Sequence, residues 1–383
     1  MVATVVFWVA TAIAFYTLIG YPILLAVFRR RKAPEIRKDP NYRTTVTAIL
    51  AVHNGASFLR AKLDSLLALD YPKELVDIIV VSDGSDDGTD TIAGEYAARR
   101  VQLLRVPRGG KARALNAALA HATGELVFFT DVRQPVQSDA LAQMVANFAD
   151  PTVGAVTGEL RLLPGEHGEH FDMDLYWRYE LWVRGRHSEI DSLFTATGCL
   201  YVQRRSLTAP LAPDTITDDA VMPLRAFFEG YRVIFDPAAI AWDYPAMTGV
   251  EYRRRLRTLA GLWQVHVRFP RLFSGANRMR FHFLSHKFTR LLLPWAVLAV
   301  FGATAGMPDS PFRTFLIANE LVMLAIAVMD RVVPEKFPLK RLSSPVRTFL
   351  LMNWAALMAV KVFFVPAERL WVPSRVKRAS PGS

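Results

Sequence analysis

The ten residues 80–89, VVSDGSDDGT, decide the fold that this sequence predicts. They close the apolar run Val76–Ser82 with a polar loop, in which Ser and Asp side chains lie around Gly84 and Gly88. A short run rich in β-branched residues that ends in turn residues is typical of a strand. The cap of a following helix would account for one such polar side chain, but not for the whole cluster. We therefore interpret the loop as a strand end that closely approaches a ligand.

Similar apolar runs recur on both sides of this loop, and helix-like segments separate them. The predicted strands are Val46–Val52, Val76–Ser82, Val101–Arg105, Leu126–Thr130 and Val153–Thr157. The predicted helices are Phe58–Leu69, Lys111–His121 and Asp139–Phe148. This alternation predicts an α/β fold with a mostly parallel sheet, in which ligands bind at the carboxyl ends of the strands. Polar residues follow the first and fourth strands at such ends, namely His53-Asn54 and Asp131.

The composition of the 383 residues is too apolar for an ordinary soluble enzyme. Hydrophobic residues make up 52% and charged residues 21%, whereas soluble domains carry about 25% charged residues. A disordered chain is excluded as well, because it would be poor in apolar residues. The single cysteine, Cys199, cannot form an internal disulfide, which favours a reducing compartment. The net charge of +11 favours phosphate-bearing ligands or anionic lipid, since no motif indicates a nucleic-acid partner.

Four apolar stretches predict membrane helices. Residues 1–28 carry no charged side chain and precede the basic residues 29–32, which favours an uncleaved anchor whose basic end is cytoplasmic over a signal peptide. Three further apolar runs lie close together near the end of the sequence, at Leu291–Pro308, Phe312–Met329 and Thr348–Ala367. Three such runs favour membrane helices over helices buried in a protein core. They form either three crossings or two crossings and one surface or re-entrant helix. The result is a predicted multi-pass protein of the plasma membrane.

Taken together, the segments above resemble the inverting family 2 glycosyltransferases, in the membrane-embedded branch that includes cellulose, chitin and hyaluronan synthases. The matching segments are Val52–Gly55, Val80–Thr89, Lys111–Asn116, Phe129–Asp131, Thr217–Asp219 and Arg254–Gly261. The resemblance implies a GT-A fold and a nucleotide-diphosphate sugar donor, usually UDP-linked. It also implies a divalent cation, Mg²⁺ or Mn²⁺, and a lipid-linked or polysaccharide acceptor at the cytoplasmic face. The predicted domains are an anchor (1–28), the GT-A domain (44–245), basic interfacial helices (246–290), and membrane helices with a basic tail (291–383).

The resemblance also implies which residues bind the donor. They are His53, Asn54, Asp83, Lys111, Asp131, Arg133, Arg254 and Arg257. Asp83 would meet the uracil, and Asp131 would meet the ribose and diphosphate region and hold the metal. From the sequence alone, Lys111 could equally be a solvated lysine that opens a helix. Arg254 and Arg257 share one face of a helix and suit a diphosphate, although a surface helix attracted to anionic lipid is the alternative.

Catalysis is assigned to Thr217-Asp218-Asp219, which resembles the family's Thr-Glu-Asp element with Asp218 in place of Glu. Asp219 is the candidate general base, because the acceptor hydroxyl must lose its proton as it attacks the anomeric carbon. In-line attack assisted by a single base inverts the anomeric centre. A helix cap formed by Thr217 or Asp218 is compatible with this role. In the family, the region of Thr197-Gly198-Cys199 lines the acceptor path, but a small buried residue is the stronger interpretation of Cys199.

Three departures from the family pattern limit what the resemblance implies. Gly55 stands where the family usually has an acidic residue after Asn54, which weakens the metal assignment. Arg133 stands where the second Asp of an Asp-x-Asp pair would hold the metal. Its guanidinium either repels the ion and pairs with phosphate, or points away and leaves Asp131 to hold the metal with the diphosphate and water. Thr258 replaces a Trp of the arginine motif, which weakens the case for processive synthesis.

Two alternatives to single sugar transfer stay open. One is a processive synthase that also exports its polymer, and the other is a silent membrane partner that only binds a nucleotide sugar. The presence of Asp83, Asp131 and Asp219 argues against the silent partner.

Overall fold

The computed structural model describes residues 1–27, 33–162, 171–243, 248–334, 337 and 339–365. The chain divides into two compact units, each built from more than one segment. A helical unit takes the described parts of Met1–Arg31, Glu166–Arg186 and Thr248–Val365. An α/β unit takes the described parts of Lys32–Gly165 and His187–Met247.

A seven-stranded sheet organises the α/β unit. Its strands are β1 (Val46–Val52), β2 (Val76–Asp83), β3 (Val101–Val106), β4 (Leu126–Phe129), β5 (Val153–Leu162), β6 (Tyr201–Arg204) and β7 (Arg232–Asp243). Their spatial order is β3-β2-β1-β4-β6-β5-β7. Strands β1 to β4 pair in parallel, β6 runs antiparallel to both of its neighbours, and β5 pairs in parallel with β7. The predicted mostly parallel α/β fold is therefore confirmed.

The five predicted strands are present, and the sequence missed β6 and β7. Strand β6 has only four residues, and its charged end at Arg204 obscures an apolar pattern. Strand β7 contains Pro237 after the buried run Val233–Ile234, and a proline normally argues against a sheet strand. The structure accommodates it where the β5–β7 register shifts, between Thr157 and Glu159.

Thirteen α-helices lie within the described residues. They are α1 (Val2–Phe15), α2 (Tyr21–Val27), α3 (Ala56–Leu67), α4 (Thr89–Glu95), α5 (Lys111–His121), α6 (Ala140–Val145), α7 (Phe171–Ile190), α8 (Asp218–Phe228), α9 (Thr248–Arg268), α10 (Arg280–His282), α11 (Thr289–Ala305), α12 (Pro311–Met329) and α13 (Lys340–Ala359). Helix α5 has the predicted bounds, and α3 begins two residues before the predicted Phe58.

The core of the α/β unit lies where helices cover the sheet. Alternate residues of β1, such as Ala48 and Leu50, are fully buried with Leu59 and Leu63 of α3. Strands of a parallel sheet are covered on both faces, which explains why β1 reads as a continuous apolar run. This packing fixes the strand ends, and with them the loops that carry the polar residues.

The helical unit holds four helical stretches that are long and apolar enough to cross a membrane, within the described part of the chain. They are Val2–Val27, Arg280–Ala305, Pro311–Met329 and Ser343–Phe363. The first and second include π-helical turns, at Tyr16–Gly20 and Phe283–Phe288. These stretches overlap the four apolar runs predicted from the sequence. The basic residues 29–32 and the basic tail lie outside the described residues.

Candidate active site

The parallel strands bring the predicted polar loops to one edge of the sheet. Val52 of β1 lies beside Ser82 of β2, and Ile49 lies beside Phe129 of β4. The loops that follow these three strands therefore emerge next to one another. This is the edge at which open α/β sheets bind ligands.

His53 and Asn54 connect the first loop to the second. His53 Nδ1 donates to the Asp83 carbonyl at 2.9 Å. The backbone N–H of Asn54 donates to Ser85 Oγ at 3.1 Å, and Asn54 Oδ1 accepts from the Asp86 N–H at 3.0 Å. Both residues were predicted to bind donor, and the structure gives them a role in ordering the loop after β2.

Asp83 orders the segment in front of α5. Its buried carboxylate accepts from the Arg108 guanidinium and from the backbone N–H groups of Gly109 (2.7 Å) and Gly110 (3.0 Å). Gly84 has a φ of +60°, and a Cβ there would lie 2.9 Å from the Arg108 backbone nitrogen, so only glycine fits. The contact of Asp83 with uracil stays a prediction, and the loop contacts are ones that the sequence did not reveal.

Lys111 lies at the centre of the site. Its ammonium donates to Asp131 Oδ1 at 2.9 Å and lies 3.1 Å from Asp218 Oδ1. Burial alone would lower the pKa of Lys111, but the three carboxylates around it, of which Asp219 is the third, outweigh burial and raise that pKa. Lys111 opens α5, as the solvated-lysine alternative expected, but its ammonium is held between carboxylates.

Helix α8 gives the two adjacent aspartates different surroundings. Asp218 is buried and faces Lys111, whereas Asp219 is half-buried. A Cβ on Gly198 would come within 3.0 Å of Asp219 Oδ2, so the absence of a side chain there lets this carboxylate approach the backbone. Thr217 occupies the N-cap position, as the cap interpretation expected, but no side chain forms a cap hydrogen bond there.

The predicted acceptor segment is anchored in the sheet. The Thr197 N–H donates to Thr157 Oγ1 at 2.8 Å, and Thr197 Oγ1 donates to the Gly158 carbonyl at 3.1 Å. Thr197 and Cys199 are buried, and Gly198 between them is half-buried. The acceptor-path role of this segment stays a prediction, while Cys199 is the small buried residue expected from the sequence.

Arg133 forms an ion pair with Asp243, which is not a member of the Lys111 cluster. Its Nη2 donates to Asp243 Oδ2 at 2.7 Å, and the two side chains are only 11% and 4% exposed. Of the two alternatives for Arg133, the structure supports the one in which the guanidinium points away. Asp131, with a side chain that is 39% exposed, keeps an open position for a ligand.

The side chains of the site could hold a divalent cation only if a bound ligand supplied some of the coordinating atoms. No group of three or more His, Cys, Asp or Glu side chains among the described residues could hold a metal ion by itself. Both Asp131 and Asp218 pair with Lys111, but the Asp131 side chain is 39% exposed and that of Asp218 only 8%, so Asp131 is the one that a ligand can reach. Mg²⁺ commonly keeps several waters and uses one or two carboxylates together with substrate phosphates. Asp131 is thus the residue that would hold such an ion.

Two buried polar residues of the site had no signal in the sequence. Tyr201 of β6 stacks on Phe129 with ring centroids 4.6 Å apart, and burial together with the charge of Asp218 raises its pKa. Lys62 of α3 is buried beneath the Asp131 loop. A tyrosine in a strand and a lysine in an amphipathic helix are ordinary, so only their burial in the structure reveals them.

Arg254 and Arg257 lie on α9 in the helical unit. Both are half-buried, and their spacing of three residues places them on one helical face. The side chain of the neighbouring Arg253 lies outside the described residues. The diphosphate role of the two arginines stays a prediction.

Comparison with known proteins identifies the domain that carries this cluster. The family model described as "Glycosyl transferase family 2" matches residues 47–209. These residues are a family 2 glycosyltransferase domain. The match includes Asp83, Lys111 and Asp131, whereas Asp219 lies beyond it. The resemblance drawn from the loops is therefore confirmed.

Two curated relatives match this chain at low identity. The Bacillus subtilis protein named "Probable glycosyltransferase YdaM" is 26% identical over 267 residues, which cover 66% of this chain and 63% of the relative. A Staphylococcus aureus poly-beta-1,6-N-acetyl-D-glucosamine synthase is 26% identical over 276 residues, which cover 69% and 61%. The matched part thus spans less than two thirds of either relative.

A solved structure resembles this chain over nearly its whole length. It is the mannosyltransferase PcManGT from Pyrobaculum calidifontis, in complex with GDP-Man and Mn²⁺. The TM-score is 0.74 at 27% identity, with 94% of this chain and 99% of that chain covered. The predicted GT-A fold is confirmed by this likeness together with the family match.

Proposed function

We propose that this chain transfers a sugar from a nucleotide-diphosphate donor to a lipid-linked or polysaccharide acceptor, with inversion. The observation that carries the proposal is the Lys111 cluster, in which one ammonium lies between Asp131 and Asp218 beside the half-buried Asp219. A fixed cation suits a leaving diphosphate, and an accessible carboxylate suits a general base.

In this mechanism Asp219 accepts the proton of the acceptor hydroxyl as that oxygen attacks the anomeric carbon. The bond from that carbon to the diphosphate oxygen breaks on the opposite face, which inverts the centre. Asp218 stays buried against Lys111 and keeps the ammonium in place. Lys111 in turn stabilises the negative charge that develops on the diphosphate.

A divalent cation, Mg²⁺ or Mn²⁺, would be held by Asp131 together with the donor diphosphate and water. When bound, it would neutralise leaving-group charge as a Lewis acid. The Mn²⁺ in the similar mannosyltransferase structure supports this assignment. We propose a UDP-linked donor, as the family resemblance implies, and the GDP-Man of that structure makes a GDP-linked sugar the alternative to test.

We place the reaction at the cytoplasmic face of the plasma membrane, with the four apolar helical stretches as spans. The lengths and compositions of these stretches support this placement. Lipid-linked or glycan acceptors and membrane lipids are then the partners within reach. A processive synthase is the second candidate, supported by the name of the Staphylococcus aureus relative.

Arg254 and Arg257 are proposed to bind the diphosphate oxygens. Arg254→Ala and Arg257→Ala should each lower turnover, because a guanidinium pairs with two phosphate oxygens at once. Arg255→Ala is the matched control, since one residue along a helix turns the side chain by about 100°. Turnover assays on the three variants decide the matter, and equal losses in all three would favour a lipid-surface role for this helix.

The proposed function is tested by incubating purified protein and membranes with a panel of UDP- and GDP-linked sugars. Product mass spectrometry identifies the transferred sugar and separates single transfer from polymer. Release of nucleotide without any sugar product would contradict the proposal. So would the absence of nucleotide release with every donor in the panel. In the latter case the silent-partner alternative would be supported by nucleotide binding alone.

A further inference from the structure

Lys62 is a buried amine that the proposed mechanism does not use. It lies on α3, and the whole residue is 1% exposed. Its Nζ donates to Thr130 Oγ1 at 2.7 Å and to the Gln134 carbonyl at 2.6 Å. Lysine is almost never fully buried unless it is paired, because removing an amine from water is costly.

The two acceptors of Lys62 lie on either side of Asp131. Thr130 directly precedes Asp131, and Gln134 follows it by three residues. The lysine therefore links the two ends of the segment 130–134 through one hydrogen bond at each end. The position of the Asp131 carboxylate depends on the backbone of this segment.

Thr130 extends the connection to the acceptor side of the site. Its Oγ1 accepts from Lys62 and donates to the Cys199 carbonyl at 2.8 Å. Cys199 follows Gly198, the residue against which Asp219 packs. One hydroxyl thus joins the loop that carries Asp131 to the loop that borders the general base.

We propose that Lys62 is a positioning residue that holds the Asp131 segment and the Gly198–Cys199 backbone in one fixed register. The role rests on the proposed sugar transfer, in which donor and base must be aligned. Lys62 acts through Thr130 and Gln134 and does not touch the substrate.

The electrostatics agree with a role as hydrogen-bond donor. Burial lowers the pKa of Lys62 to about 7, against the opposing influence of Cys199 and Asp131. An amine donates two hydrogen bonds whether it is neutral or charged. Methionine has a side chain of similar length without a hydrogen-bond donor. Lys62→Met therefore removes both hydrogen bonds while it keeps the side-chain volume.

The kinetic test compares Lys62→Met with Lys73→Met. Lys73 also donates to two backbone carbonyls, those of Leu67 (2.6 Å) and Leu69 (2.5 Å), but at the far end of α3. Lys62→Met should lower kcat about 10²-fold, as a misplacement of roughly 1 Å does, with a much smaller change in donor KM. Removing one partner of a buried hydrogen bond lowers stability, so kcat is measured at a temperature at which circular dichroism shows both variants to be folded.

Thr130→Val provides a second variant, and it carries the test if the Lys62→Met chain does not fold. Thr130→Val removes the same hydroxyl link and should lower kcat as well. If both residues act through one contact, the double variant should be no slower than the worse single variant. Turnover of both single variants within a few-fold of Lys73→Met would overturn the proposal, as would additive losses.

A measurement that needs no turnover uses Cys199, the single cysteine of the chain. Its buried thiol should react slowly with a maleimide in the folded full-length protein. In Lys62→Met and Thr130→Val the reaction should be at least several-fold faster, because the Cys199 loop is released, while Lys73→Met stays as slow as the parent. Equal rates in all variants would overturn the proposal. If no donor turns over in the parent protein, the proposed function fails, and these rates still decide the role of Lys62.

Discussion

The α/β unit and the helical unit both bury carboxylates, but they balance the charge in opposite ways. In the helical unit, Glu180 accepts from Lys287 (3.0 Å) and Arg290 (2.8 Å). In the α/β unit, by contrast, the single ammonium of Lys111 lies among the three carboxylates of Asp131, Asp218 and Asp219.

Asp330 of the helical unit follows the same pattern as Glu180. It is fully buried and bonded to Lys340 (3.3 Å), Ser343 (2.6 Å) and Arg347 (2.7 Å). Each of these two acids has more than one cation, so its ion pairs tie helices together. For Glu180, burial would raise the pKa, but Lys287 and Arg290 outweigh it and hold that pKa well below its ordinary value.

If the Lys111 cluster is the proposed active site, the sign of the charge imbalance separates it from the Glu180 and Asp330 clusters. Where acids outnumber their cation, the cluster keeps a net negative charge. A proton or a metal ion can neutralise that charge during a reaction. Perturbed ionisable groups concentrate at functional sites for this reason, although structural networks also contain them. The following predictions test that division, from the largest expected effect to the smallest.

Asp219→Asn should lower sugar transfer by about 10²–10⁴, because an amide cannot accept the proton of the acceptor hydroxyl. Nucleotide binding, measured by calorimetry, should change little. Glu229→Gln, at the other end of α8, is the matched control and should retain full turnover. Asp219→Asn protein that retains turnover within a few-fold would remove Asp219 as the base.

Glu180→Gln should destabilise the helical unit by about 3 kcal/mol, because it leaves buried cations without their counter-charge. Thermal unfolding in detergent measures the loss. Glu320→Gln in α12 makes the same chemical change in the same unit and should not lower the Tm. A Glu180→Gln protein as stable as the parent would show that this cluster is not structural.

Turnover should need roughly millimolar Mg²⁺ or Mn²⁺, or be only partly lost in chelator, because no group of three or more His, Cys, Asp or Glu side chains among the described residues could hold the ion without the donor. Metal titrations of turnover, with Asp131→Asn as the comparison, measure this. Tightly bound stoichiometric metal in the parent protein, with complete loss of turnover in dilute chelator, would contradict it.

Gly198→Ala should lower turnover less than Asp219→Asn does. The added Cβ would lie 3.0 Å from Asp219 Oδ2, so the carboxylate must shift by a few tenths of an ångström. Gly94→Ala in α4 is the control, because a Cβ there meets no atom within 4 Å. Steady-state kinetics should show the loss in kcat. If both variants behave alike, Asp219 does not depend on this close approach.

Much of this molecule follows from local sequence. The strands β1 to β5, helix α5 and the apolar helical stretches were predicted because each depends on a short, periodic or continuous apolar pattern. The loop at 80–89 indicated the ligand edge, since turn residues after a buried strand are a local signal as well.

What only the tertiary structure decided is which partner each polar side chain has. The sequence showed Arg133 beside Asp131 but not Asp243, which lies 110 residues away in the chain and takes its guanidinium. It showed two adjacent aspartates but not that one is buried on Lys111 and the other half-exposed. Lys62 gave no signal at all. Hydrogen bonds and ion pairs are short-range, so their partners are set by how distant segments pack and not by the pattern of any one segment.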